Sequence, residues 1–163
     1  MGSGSFLRAL SLVATAGSLA ALLTACGPTE VATPPASAAK PCAALAGAVP
    51  GKLMSETSRE VSPADAGAAW GDPAIVLSCG VDMPKDFTPG ASCEEISGVG
   101  WYVPTDQFAD SRLDLAIYTI GRSPVVRLEI PSDYRADAAF VADTLTTLAP
   151  VIKENTKLEK PCI

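Results

Sequence analysis

Histidine is absent from all 163 residues. Its absence removes the usual general base near neutral pH and the commonest zinc ligand, so Ser-His-Asp and Cys-His catalysis are excluded. No Cys-x-x-Cys pair is present to suggest a zinc site. Aromatic residues make up only 6% of the chain, so the core must be mainly aliphatic. Basic residues are scattered singly, and the formal net charge is −6. A nucleic-acid surface needs a basic face, and electrostatic adhesion to anionic lipid needs a basic cluster; neither is present. There is also no apolar run comfortable for a membrane span. The longest, Ala9 to Leu23, is about the length of a signal-peptide apolar region.

That apolar run ends in Leu23-Thr24-Ala25-Cys26, with Arg8 before it. An aliphatic residue three before a cysteine, followed by two small residues, resembles the bacterial lipobox. The resemblance implies that Cys26 receives a diacylglyceryl group and becomes the first mature residue. Residues 1–25 are then a lipoprotein signal peptide, and their removal takes away one basic side chain and no acid. Residues 26–40 follow as the lipidated cysteine and a tether rich in Pro, Ala and Thr. Without apolar periodicity this stretch is expected to be disordered and extended. The partner this implies is the membrane, reached through lipid on the extracytoplasmic face. Oligomeric state is left open.

With Cys26 given to lipid, Cys42, Cys79, Cys93 and Cys162 remain. An even number outside the cytosol reads as a disulfide framework. Three pairings are possible. Cys79 and Cys93 flank a short loop rich in turn residues, and Cys42 and Cys162 bracket the folded region, whose ends tend to lie close. The favoured pairing is therefore Cys79–Cys93 with Cys42–Cys162.

Residues 41–163 read as a single globular domain. Pro41–Pro50 has alanine-rich helical propensity. Lys52–Val61 reads as an edge strand or irregular extended segment. Ser62–Trp70 suggests one more helical turn, with Ser62 as cap and Pro63 in the first turn. Ala74–Leu77 is a short apolar run, expected as a strand buried on both faces. Ile96–Pro104 suggests a bend and a strand. Alternation over Leu113–Ile120 and Val125–Ile130, around Gly-Arg-Ser-Pro, is the clearest hairpin. Tyr134, Ala138, Val141, Leu145, Leu148 and Ile152 form a helical stripe, capped by Ser132 or Asp133. The expected fold is α+β: an antiparallel sheet of about four to five strands, with a short N-terminal and a C-terminal helix packed on it.

Several tracts together resemble a family of small actinobacterial secreted proteins and lipoproteins known only as a domain of unknown function (three-five-one-five). They are Pro41-Cys42 with its helix, Trp70-Gly71 followed by Pro73–Leu77 and Cys79-Gly80-Val81, Gly98–Trp101, the strand pair around Thr119–Pro131, and the C-terminal cysteine. In that family arginine commonly stands where this chain has Ser78. The resemblance implies location and fold but no mechanism.

Chemistry-bearing motifs are few. Gly98-Val99-Gly100 is too short for a phosphate loop and reads as a bend. Asp106, Asp110 and Asp114 lack the alternate spacing of a calcium loop and read as a solvated acidic loop. Glu94 and Glu95 are adjacent, so on a strand they point to opposite faces and make a poor catalytic pair. No catalytic residue, metal ligand or cofactor is assigned. The binding candidates are Trp70 and Trp101, expected near one another at a concave surface with Asp72, Tyr102 and Arg122 beside them. The alternative is that the two indoles close the ends of the core. Function is expected to be a non-enzymatic ligand- or partner-binding module of the cell envelope. A carboxylate-dependent enzyme and a purely structural lipoprotein are the alternatives.

Overall fold

The alternation over 113–130 forms a strand pair in the computed structural model, which describes Met1, residues 27–88 and residues 90–162. Leu115–Ile120 and Val126–Ile130 run antiparallel, with Leu128 opposite Ile117. Numbered along the chain, the strands are β1 (Thr29–Glu30), β2 (Lys52–Leu53), β3 (Glu56–Arg59), β4 (Val61–Ser62), β5 (Gly67–Trp70), β6 (Ile75–Cys79), β7 (Glu94–Ile96), β8 (Val99–Tyr102), β9 (Leu115–Ile120), β10 (Arg122–Ser123), β11 (Val126–Ile130) and β12 (Lys157–Leu158). The helices are α1 (Ala39–Ala48), α2 (Thr105–Ala109) and α3 (Ala138–Asn155).

The main sheet has eight strands, in the order β2-β3-β5-β6-β11-β9-β8-β7, and every neighbouring pair is antiparallel. It consists of two consecutive meanders whose last strands, β6 and β11, pair at the centre. The fold is thus α+β as expected, with a larger sheet. The extra strands are short, two to four residues, and poor in β-branched residues. In β5, Gly-Ala-Ala-Trp, tertiary pairing with β6 overrides the helical preference of alanine. The helical turn expected over 62–70 is accordingly replaced by β4 and β5.

Period-two register puts Trp70, Leu77, Leu128, Ile117 and Trp101 on one face, where all five are buried. Helices α1 and α3 pack against each other and over this face, α1 against β5 and α3 against β7 and β8. Leu45 from α1 and Leu148 and Ile152 from α3 complete the core. The stripe expected on α3 holds for Leu145, Leu148 and Ile152. The cap differs: Ser132–Tyr134 forms a separate 3-10 turn, and the Asp137 side chain accepts the Ala139 N–H at 2.9 Å. The other face is also covered. Ser78 and Tyr102 lie there beneath the N-terminal segment and the loop after β6.

Residues 27–38, expected as part of a disordered tether, are laid against the domain. β1 pairs in parallel with β4, Val31 donates to the Ser62 carbonyl at 2.9 Å, and Val31 is buried. Backbone pairing, invisible to composition, holds this segment. The signal peptide and Cys26 lie outside the described residues.

The disulfide pairing differs from expectation too. Cys42 joins Cys79, with Cα atoms 5.4 Å apart, and Cys93 joins Cys162 at 5.8 Å. Cys79 projects into the core face, directly under α1. The chain then crosses to the far edge before Cys93, which carries Cys93 away from Cys79 and beside the C-terminal tail.

Candidate functional site

The expected aromatic cleft does not form, because Trp70 and Trp101 are on different halves of the sheet. β5 and β8 are four strand steps apart, roughly 19 Å at ~4.8 Å per step. Trp70 is fully buried and donates its Nε1–H to the Pro50 carbonyl at 2.8 Å, as a core residue should. Asp72 is on the surface, in an exposed ion pair with Arg59 at 3.1 Å. Tyr102 follows Trp101 and so points to the opposite face, where its hydroxyl bonds Asp86 at 3.2 Å and its ring meets Phe87 edge-on. Burial, then the Asp86 hydrogen bond, push the Tyr102 phenol above its ordinary value. Arg122 is buried, not solvated; it donates to Gly98 and Thr156, and loss of solvent pulls its guanidinium down.

Trp101 does reach a concavity of its own. A cavity of about 340 Å³ lies between α3 and the β7–β8–β9 end of the sheet. Its floor is Ile96, Trp101, Leu115 and Ile117, which the strand register places on the helix-facing side. Val141, Ala142 and Leu145 of α3 form one wall, and Val103, Phe108 and Ser111 the rim. Glu94 and Arg135 are the charged residues at it. Glu94 sits directly across from Trp101 on β7, while Glu95 pairs with Gly100 and so points to the other face.

Trp101 is only 1% exposed, yet its Nε1 has no hydrogen-bond partner among the described residues. A buried indole N–H almost always finds one. The rest of the rim is held firmly. Arg135 donates to the carbonyls of Gln107, Asp110 and Leu113, and the Gln107 side chain accepts from the Ala116 N–H at 2.8 Å. These bonds clamp α2 to β9. No side chain of α2 is buried, so Phe108 stands 72% exposed at the cavity mouth.

A wider cleft of about 480 Å³ runs beside the Cys93–Cys162 disulfide. None of the residues with a buried, unpartnered side-chain atom (Trp101, Arg122, Arg127 and Thr144) lines it. The cavity at Trp101 is therefore the better site.

Of the three aspartates expected in an acidic loop, Asp106 lies in the first turn of α2 and the other two hold partners within the protein. Asp110 bonds Arg112 through both carboxylate oxygens, and that side-chain bond holds its carboxyl below the ordinary value. Asp114 accepts the Ser132 N–H. Among the described residues no cluster of His, Cys, Asp or Glu is arranged to hold a metal. Gly98 does turn the chain: Ser97 and Gly98, at φ 52° and 78°, join β7 to β8 in a two-residue hairpin.

The α2–Arg135 clamp is not visible in sequence pattern, since its acceptors are backbone carbonyls. One Ser-x-x-Lys spacing, Ser37 to Lys40, is present at the start of α1. Both side chains are exposed and no hydrogen bond joins them, so no activated serine is formed.

The protein-family model described as "Protein of unknown function (DUF3515)" matches residues 7–160. No curated protein and no solved structure matches the chain.

Proposed function

Because the chain belongs to the DUF3515 family, which carries no assigned activity, we propose a function from the site itself: a lipid-anchored, extracytoplasmic domain of the bacterial cell envelope that binds a small apolar ligand without transforming it. The observation that carries the binding half is the cavity over Trp101. Its volume is within the ~300–1,000 Å³ usual for small-molecule sites, and its lining is apolar with a few polar groups. The anchoring half rests on the lipobox-like Leu23–Cys26 behind a signal-like apolar run. No helix among the described residues is long and apolar enough to cross a membrane. A carboxylate-dependent enzyme needs two converging acids. Among the described residues Glu94 is the sole carboxylate residue lining this cavity.

Two experiments test the two halves. Replacing Cys26 by serine should move the protein out of the membrane fraction; retention there would overturn the anchor. For binding, the full chain is extracted with a membrane-solubilising polymer, since detergent tails would compete for the cavity. Mass spectrometry should find a small apolar molecule with the wild type that is lost from Ala142→Phe. Ala142 is exposed at the cavity wall, so a ring there blocks the mouth without entering the core. An empty wild-type protein that also binds no apolar probe would end the binding reading.

A further inference from the structure

We infer that Phe108 limits how long an occupant the cavity over Trp101 admits, and that Arg135 is the positioning residue that keeps Phe108 in place. The inference rests on the binding reading above and adds a specificity determinant to it.

A second concavity, of about 180 Å³, adjoins the main one of about 340 Å³. The two share Glu94, Val103 and Phe108 in their linings, so these side chains form the ridge between them. The three are not equally fixed. Val103 is half-buried and packs against the core. Glu94 lies on β7, paired to Trp101 of β8. Phe108 stands on α2, no side chain of which is buried, and the ring is 72% exposed. It is the largest side chain of the ridge, and it offers its apolar area to an occupant rather than to the core. Without the ring the two concavities join, which adds about half as much volume again to the main one.

Polar ties to the backbone hold the ring where it stands. The Phe108 N–H donates to the Pro104 carbonyl at 3.0 Å. Arg135 donates to the carbonyls of Gln107, Asp110 and Leu113, on both sides of Phe108 in the chain. The Gln107 side chain accepts from the Ala116 N–H and ties the same segment to β9. Since α2 buries no side chain, these bonds and not packing set the position of Phe108. A planar guanidinium can serve several acceptors at once in fixed directions, and a lysine cannot replace it there.

The test uses polymer-extracted full chain and the straight-chain alcohols from hexanol to dodecanol as probes, read by calorimetry. Ala142→Phe in the same preparation supplies the blank for partition into lipid. Each methylene that enters the site should tighten binding about fourfold, until the chain meets the ridge and the gain stops. Phe108→Ala should carry the gain on to longer alcohols, so a probe two methylenes past the wild-type limit should bind it about fifteenfold more tightly than it binds the wild type. Phe108 is exposed, so its replacement leaves the core as it is. Phe108→Trp keeps the ridge and should not lengthen the limit. Arg135→Lys, with the ring intact, should lengthen it as Phe108→Ala does; a loss of stability alone would not move a chain-length limit. A limit unchanged in Phe108→Ala, one lengthened equally by Phe108→Trp, or a wild-type gain that runs on to dodecanol would overturn the role of Phe108 and leave the apolar-site reading standing. An unchanged limit in Arg135→Lys would overturn the role of Arg135. Wild-type binding no greater than the Ala142→Phe blank for every alcohol would remove both the inference and the binding reading.

Discussion

Two tryptophans in similar sequence settings, each beside a glycine, have opposite hydrogen-bonding fates. Trp70 is bonded to Pro50 and Trp101 is unpartnered. The difference predicts unequal stability effects for the same substitution. Trp70→Phe removes ring volume and strands a carbonyl acceptor, so it should cost about 1–2 kcal/mol more than Trp101→Phe, which removes a donor that bonds nothing. Urea unfolding of both variants measures the gap; equal costs would mean that the Trp101 N–H is satisfied in solution. A second residue-scale prediction concerns pH. The Tyr102 phenol is raised by burial and by Asp86, so the folded state holds that proton more tightly than the unfolded chain. Its contribution is present below pH ~10 and is lost as pH rises through the raised value. Stability should therefore fall more steeply above pH 10 in the wild type than in Tyr102→Phe, as read by unfolding midpoints from pH 9 to 12. Sequence identified these aromatic residues as prominent. It could not tell which face each would take, because the odd-even placement of Trp101 and Tyr102 is fixed only once the register of β8 against β9 is known.

At the scale of elements, legibility tracked length and chemistry. α3, β9 and β11 carry five or more residues and a clear period, α1 has its alanine-rich composition and β6 its short apolar run, and the sequence pattern finds them. β2, β4 and β5 have two to four residues rich in small or polar types, and only pairing with neighbours defines them. The cysteine count gave two bridges, but the pairing depended on chain routing. Nearness in sequence favoured Cys79 with Cys93, while the sheet order separates them by placing β6 at the centre and β7 at an edge. Non-reduced peptide mapping should recover Cys42–Cys79 and Cys93–Cys162. In the chain-entropy description loops of these lengths, 37 and 69 residues apart, are each worth ~4 kcal/mol. The second bridge also crosses Gly100. A methyl group there would sit 3.0 Å from Cys93 Sγ and 3.0 Å from Cys162 Cβ. Gly100→Ala should thus destabilise by about 1–3 kcal/mol through overpacking, and much less once Cys93 and Cys162 are both alanine. An equal cost in both backgrounds would place the strain elsewhere.

Over the whole molecule, the N-terminal segment changes how a lipid anchor would hold the domain. A free tether of residues 27–40 could stand it up to ~45 Å from the bilayer at ~3.3 Å per residue. With β1 paired to β4 and Val31 buried, only Gly27 and Pro28 separate Cys26 from the folded body, a reach of roughly 10 Å. A domain attached in this way lies close to the lipid surface. Its acidic balance, 18 acidic side chains against 12 basic over the whole chain, argues against charge drawing it there. Proximity would come from the strap alone, and an apolar ligand would have a short path between bilayer and cavity. The strap also makes a protease test decisive. Elastase cuts beside small aliphatic residues, so a disordered 27–40 segment, with four alanines and one valine, would release the domain from membranes at once. With the strap in place the wild type should stay bound under conditions that cut an unfolded control. Val31→Asp, which drives a charge into a buried position, should free the segment and let the domain be released intact with both disulfides. Release of the wild type as fast as Val31→Asp would show that the strap does not hold at the membrane, and the domain would then stand off on a flexible arm.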